Sequence, residues 1–289
     1  MAKPTARPTP APPDRARTTP LPPVFPFDWA VAHGEDRQGL WQAFEVAGVR
    51  QVLRWVPPGR FMMGSPPSEA GRFGNEALHA VTLTQGFWLA DTACTQALWA
   101  AVMDGDAPSL FTDDPQNPVE QVSWDRVVDE FLPRLNAALP GLAAALPSEA
   151  QWEYACRGDA AEPAPFWFGG QIDSGQVNFD GNHPLPGGQK SVWRERTVPV
   201  KALPANGWGL YQMHGNVWEW CADAYEPDLG AGEAVDPTGP STADRTARRV
   251  LRGGSCFNVA RYCRSAYRRA SGPGLRDDGF GVRLARGAS

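Results

Sequence analysis

The sequence predicts an α+β fold rich in irregular loop, and three observations predict it. The stretch VRQVLRWV, residues 49–56, alternates apolar and polar side chains as a half-buried strand does. Three runs with helical patterning and recognisable starts follow between Thr95 and Arg157. Beyond Arg157 no helical run exceeds about two turns, and Gly, Pro, Asn and Trp dominate to the end.

The first 26 residues, Met1 to Pro26, are almost all Pro, Ala, Thr and Arg. Such a composition buries too little apolar surface to offset chain entropy, so a flexible leader is expected, with a PxxP docking motif around Pro10 to Pro13 as the alternative. Residues 27–289 read as one domain. From Phe27 to Ser65 the pattern is of short strands broken by Gly and Pro. Thr95 is placed to cap QALWAAVM and Ser123 to cap WDRVVDEFLPRLNAAL, while Ser148 with Gln151 forms a capping box for EAQWEYACR. Val127, Val128, Phe131 and Leu135 share one face of the second helix, which Pro133 should kink or divide. No internal repeat is present.

At 289 residues, 42% hydrophobic with 12 Trp and 13 Phe, the chain has ample material for a core, and its 30 Gly and 29 Pro predict many turns. A net charge of −5 removes any global basic field, so nucleic acid is not the expected partner. The absence of a long apolar stretch gives no reason to expect a membrane partner, and a cytoplasmic location is expected. Five cysteines, an odd number without a C-x-x-C pair, suggest neither a disulfide framework nor zinc; Cys94, Cys156 and Cys221 read as buried free thiols.

Six blocks in fixed order carry a family resemblance: FMMGS (61–65), VSWD (122–125), LPSEAQWEYACRG (146–158), GLYQMHGNVWEWCAD (209–223), RVLRGGS (249–255) and CRSAYR (263–268). Together they resemble the formylglycine-generating enzymes, or sulfatase-modifying factors. The resemblance implies a C-type-lectin-like fold of short twisted strands, two main helices and much ordered loop. In the copper-dependent oxidases of that family two cysteines after the GGS motif bind Cu(I), a soft ion suited to thiolates. Here Cys263 matches the second position, Asn258 stands at the first, and Cys256 lies two residues earlier, so copper is not expected. A related branch of iron sulfoxide synthases supplies histidines that the four here, His33, His79, His183 and His214, do not match in spacing. The family also implies structural calcium, with Glu219, the carbonyls of Gly215 and Val217, and Gln212 where the oxidases carry Asn; Asn178 and the carbonyl of Phe179 resemble part of a second site. Alternatively, Glu219 and Asn216 satisfy backbone groups among Trp208, Trp218 and Trp220.

The stretch Cys256 to Ser289 contains no Lys, Glu, Gln, Met or Trp, although the overall composition would place on the order of five such residues there. Those are the five residue types that codons of the form NNC cannot encode. The pattern resembles the variable proteins of diversity-generating retroelements, which use a lectin-like fold and randomise adenines in AAC codons. On that resemblance a variable segment spans about 256–282, and the diversified, ligand-binding residues are Phe257, Asn258, Val259, Tyr262, Arg269, Ser271, Gly272, Leu275, Asp277, Asp278, Gly279 and Phe280. Arg252, Gly253, Gly254, Ser255, Arg264, Ser265, Ala266, Gly281 and Arg283 keep the scaffold. Cys256 replaces the Trp usual after GGS, a change that adenine mutagenesis does not produce from a Trp codon. The expected function is non-catalytic display of side chains to a protein or peptide ligand. A metal-dependent oxidase or other enzyme using Cys263, and an undiversified accessory protein, stay open.

Overall fold

Three small sheets share the chain in the computed structural model, which describes residues 20–158, 163–239 and 244–287. Strands β1 (Ala32–Asp36), β2 (Gly39–Val46) and β3 (Val49–Val56) run as an antiparallel meander. The β2–β3 hairpin turns on Ala47 and Gly48, both at positive φ, as a two-residue loop between right-twisted strands requires. β4 (Gly59–Met63) and β5 (His79–Leu83) start a second sheet, and β6 (Phe87–Ala90) returns to the first beside β3.

The expected helices form where their caps lie. Thr95 Oγ1 accepts the Leu98 N–H at 3.1 Å and opens α1 (Gln96–Val102). Ser123 opens α2 (Trp124–Arg126) in the same way, and α2 continues through a π-helical turn (Val127–Phe131) into α3 (Leu132–Ala138). Pro133 is the reason for the division, since its ring and missing N–H disfavour an uninterrupted α-helix there. Val127, Phe131 and Leu135 are buried on the expected face, with Phe131 stacked on Trp99 at 4.7 Å. The Ser148–Gln151 capping box is present at the start of α4 (Glu149–Arg157).

After α4 the described chain is mostly loop. β7 (Trp218–Ala224), β9 (Arg249–Arg252), β10 (Arg269–Ser271) and the two-residue β11 (Phe280–Gly281) make a sheet in the order β10-β9-β7-β11, with β11 parallel to β7. The short β8 (Ala234–Val235) adds to β5, and β12 (Ala285–Gly287) closes the first sheet against β6. A core containing Trp88, Trp99, Phe131, Trp218, Trp220 and Phe280 lies between these layers.

Buried arginines fasten the last third of the chain to the rest. Arg264 contacts Glu69 and Glu76, both at 2.6 Å; Arg268 contacts Glu149 at 2.6 Å; Arg252 pairs with Glu153; and Arg283 contacts Glu219 at 2.8 Å. Each pair is desolvated and hydrogen-bonded, so removing one partner leaves a costly uncompensated charge. The loops between these arginines are therefore held at both ends by charges that cannot slide.

One boundary differs from the sequence expectation. Residues 20–26 do not behave as a free leader: the Pro20 carbonyl accepts the Trp55 indole N–H at 2.8 Å, and Phe25 stacks on Trp88 at 5.6 Å. Aromatic packing supplies the apolar burial that composition alone did not disclose. The PxxP motif at Pro10 to Pro13 lies outside the described residues. Among the described residues no helix is long and apolar enough to cross a membrane.

Candidate functional site

The loop after β9 begins with Gly253 and Gly254, both at positive φ, and a Cβ on Gly254 would lie 2.6 Å from the Cys263 sulfur. Glycine there lets the chain turn tightly over Cys263; Ser255 and Cys256 stay buried, and the loop reaches the surface at Phe257. Asn258 Oδ1 accepts the Ser255 N–H at 2.9 Å and the Ser255 hydroxyl at 2.8 Å, fixing the loop that carries Phe257. Phe257 is 38% exposed, with its ring 6.0 Å from that of Phe111.

A second segment, β10, contributes Arg269. Its guanidinium lies over the rings of Trp218, at 5.3 Å, and Phe280, at 4.9 Å. A third segment is the turn before β11, where Asp277 Oδ1 accepts the Gly279 N–H at 3.0 Å and Asp278 accepts the side-chain amide of Gln121. Phe257, Asn258, Arg269, Asp277 and Asp278 line one concavity of about 320 Å³ together with Trp218 and Ser255. Five of the expected binding residues, from three separate segments, thus converge on one surface.

The other seven do not line it. Gly272 and Leu275 sit on an adjoining turn, with Leu275 58% exposed. Val259 is bridged to Asp180, and Tyr262 packs against Phe73 at 5.8 Å and Tyr267 at 5.0 Å, both residues half-buried. Ser271, Gly279 and Phe280 are corrected from display to framework. Ser271 is buried and pairs with Arg249 across β10–β9. A Cβ on Gly279 would come within 2.9 Å of the Ser255 Cβ. Phe280 is 2% exposed and packs edge-on against Trp220 at 5.4 Å. All three are fixed by pairings with distant segments, which codon reachability does not see.

Sequence reasoning also missed two contributors. Trp218 forms an aromatic wall of the concavity from within the GNVWEW block. Behind the acidic turn lies Glu120, fully buried, whose Oε1 accepts the N–H groups of Leu110 at 2.7 Å and Phe111 at 3.0 Å. Burial pushes its carboxyl up to about 7 despite those hydrogen bonds, with the Asp278 charge adding to the rise. Trp218 lies in the GNVWEW motif, which does not disclose its place in the concavity, and no periodicity or motif marks Glu120.

The family profile described as a sulfatase-modifying factor enzyme 1-like domain matches residues 44–288. The chain belongs to this family. Formylglycine-generating enzymes of Streptomyces coelicolor and Thermomonospora curvata are 32% and 33% identical to it; the matches cover 76% and 68% of this chain and 71% and 65% of theirs. Among solved structures, Treponema denticola variable protein 1 has the same fold with a TM-score of 0.71 at 24% identity, over 85% of this chain and 98% of that one. PvdO from Pseudomonas aeruginosa aligns with a TM-score of 0.69 at 24% identity, over 89% and 98%. The architecture is thus α+β and formylglycine-generating-enzyme-like, as expected.

At the family's copper position Asn258 stands in place of the first cysteine and is engaged with Ser255, while Cys256 and Cys263 are buried thiols, burial pushing Cys256 up to about 12 and Cys263 higher still. The histidines are dispersed. His214 is buried with Nδ1 2.7 Å from the Cys263 carbonyl, and burial drives its pKa down to about 4. His79 contacts the Ala77 carbonyl, His183 contacts Asp180, and His33 meets Phe25. Among the described residues no three His, Cys, Asp or Glu are grouped to hold a metal.

The calcium expectation divides in two. Glu219 does not fit as a ligand: its oxygens accept Nε and Nη2 of Arg283 at 2.8–3.0 Å and the Trp152 indole N–H at 2.6 Å. Those contacts use the carboxylate's lone-pair positions and already supply a counter-charge. Gln212 is tied to Asn216 and the Pro199 carbonyl, and the Gly215 carbonyl accepts the Val217 N–H. At the second expected site, Asn178 donates to the Arg196 carbonyl and to Asn216, while its Oδ1 is buried without a hydrogen-bond partner. That oxygen and the carbonyl of the buried Phe179 beside it are donors of the kind calcium takes.

Proposed function

We propose that this chain is a non-catalytic, ligand-binding variable protein of a diversity-generating retroelement, presenting diversified side chains to a protein or peptide on the family's scaffold. The observation that carries the reading is the meeting of Phe257, Asn258, Arg269, Asp277 and Asp278 around one concavity. Each is reachable from an AAC codon, and their segment lacks the five residue types such diversification cannot produce. The arginines assigned to scaffold, Arg252, Arg264 and Arg283, are fully buried in ion pairs, so the loops between them can change without releasing the frame. The fold shared with the Treponema denticola variable protein supports the use of this scaffold for display.

Sequencing the DNA around the gene tests the reading. A near-copy of the stretch encoding residues 251–284, with AAC codons at positions such as 257, 258, 269, 277 and 278, should lie beside a reverse transcriptase gene. If neither is there, the reading fails.

The second reading, a family enzyme, is favoured by the identity to the Streptomyces coelicolor formylglycine-generating enzyme. It requires stoichiometric Cu(I) binding that Cys263→Ser abolishes, and oxygen uptake with a cysteine peptide. Absence of both removes it.

A further inference from the structure

We propose that the concavity receives a guanidinium group, an arginine side chain of the partner seated between the Phe257 ring and the carboxylates of Asp277 and Asp278. The inference rests on the reading of this segment as a binding surface and names the chemistry of its ligand.

Charge is distributed unevenly around the concavity. Asp277 is exposed, and its Oδ1 accepts the Gly279 N–H. Asp278 is half-buried and meets only the neutral amide of Gln121. Neither aspartate has an ion-pair partner among the described residues. Behind them Glu120 is fully buried, and its Oε2 has no hydrogen-bond partner. Gln121, the next residue, donates its backbone N–H to the Asp277 carbonyl, so Glu120 lies against the inner side of the same turn. Three carboxyl groups therefore share one corner without an ion pair among the described residues.

Arg269 does not neutralise that corner, because it is stacked over Trp218 and Phe280 and makes no ion pair within the described chain. It offers its remaining donors to carbonyl or carboxylate groups flanking the incoming side chain. Phe257 supplies the wall that separates arginine from lysine. A planar guanidinium stacks on an aromatic face while its edge meets a carboxylate, whereas an ammonium is a compact, strongly hydrated charge. An acidic side chain would face Asp277 and Asp278 unless it reached Arg269 first.

Glu120 gives the inference an independent readout. Its carboxyl is held up to about 7 by burial and by the charge of Asp278, with the backbone N–H groups of Leu110 and Phe111 and the Ser109 hydroxyl opposing the rise. A cation arriving beside Asp278 favours the ionised form, so binding near pH 7 should release protons.

The test titrates the full chain at pH 7 with Nα-acetyl-arginine amide, Nα-acetyl-lysine amide and Nα-acetyl-glutamate amide, following backbone amide shifts by NMR. The arginine probe should shift the amides of residues 277–279 and bind about ten-fold or more tightly than the glutamate probe. Asp277→Asn with Asp278→Asn, which retains an amide oxygen for the Gly279 and Gln121 contacts, should weaken it by a similar factor while leaving the melting curve in place. Calorimetry in buffers of different ionisation enthalpy should show proton release that Glu120→Gln removes. Equal or stronger binding of the glutamate probe, no binding of any probe, or indifference to the double substitution overturns the inference. The display reading is judged separately, by the template DNA and by selection from an unbiased peptide library. Selected ligands that protect residues 257, 269 and 277 without enriching arginine would leave display standing and discard the guanidinium.

Discussion

Arg283 lies along the carboxylate of Glu219, with Nη2 2.8 Å from Oε1 and Nε 2.9 Å from Oε2, and both side chains are buried. The pair joins β7 to the chain leading into β12, and Arg283 also donates to the carbonyls of Ala90 and Tyr211. One guanidinium thus ties together the sheet under the concavity, the first sheet and the loop before β7. A calcium ion at Glu219 would have to compete with a charge that already completes the carboxylate's bonding.

Arg283→Ala should therefore lower stability by about 3–5 kcal/mol, because it strands a buried carboxylate. Urea unfolding followed by tryptophan fluorescence would measure this. Glu219→Gln should be destabilising by the same amount in the presence and absence of a chelator. A loss that appears only without chelator would show that Glu219 holds a metal after all.

Much of the local architecture was legible because its causes are local. Thr95, Ser123 and Ser148 cap helices through bonds spanning three residues, and Pro133 divides a helix by its own ring, so a short window of sequence contains each cause. The ion pair of Glu219 with Arg283 was not legible, because its partner is 64 positions away. Ser271 and Phe280 were misread for the same reason: their burial comes from pairing with β9 and β7, and a list of reachable codons is blind to sheet register. The convergence of Phe257, Arg269 and Asp277 was anticipated as a set; Trp218 was read with the groups around Glu219 and not as a wall of the concavity, and nothing in the neighbours of Glu120 announces the concavity above it.

Glu120 should make stability depend on pH. Its folded value of about 7 exceeds the 4.5 of an ordinary glutamate, so between these limits the folded state binds more protons than the unfolded chain. The stabilisation from that proton is complete below about pH 4.5 and is lost as pH rises to 7. Asp223, pushed up to about 6 mainly by burial and then by the charge of Glu149, acts in the same direction over a lower window. Glu120→Gln should gain on the natural chain by on the order of 1 kcal/mol between pH 5 and pH 8. Parallel unfolding curves at the two values would contradict the assignment.

The five thiols should be inert in the folded protein. All are buried, and burial pushes Cys156 and Cys256 up to about 12, holds Cys94 and Cys263 higher and raises Cys221 well above an ordinary thiol, so the reactive thiolate is scarce at pH 8. Ellman's reagent should label all five in denaturant and essentially none within minutes of mixing with native protein. Rapid native labelling that Cys263→Ser removes would point instead to an exposed nucleophile and to the enzyme reading.

The division between frame and display can be separated from any ligand by comparing two phenylalanines. Phe257 and Phe280 are both reachable from AAC, yet one is 38% exposed and the other 2%. Truncating Phe280 removes the ring packed against Trp220 and under Arg269, and should cost about 3–5 kcal/mol. Truncating Phe257 gives up its contact with Phe111 and a partial burial, and should cost about 1 kcal/mol, well below the loss at Phe280. Denaturant curves for Phe257→Ala and Phe280→Ala read the difference directly. A surface built for replacement must tolerate the first change, so a large loss of stability in Phe257→Ala would mean that its loop is part of the frame and that the concavity is not free to vary.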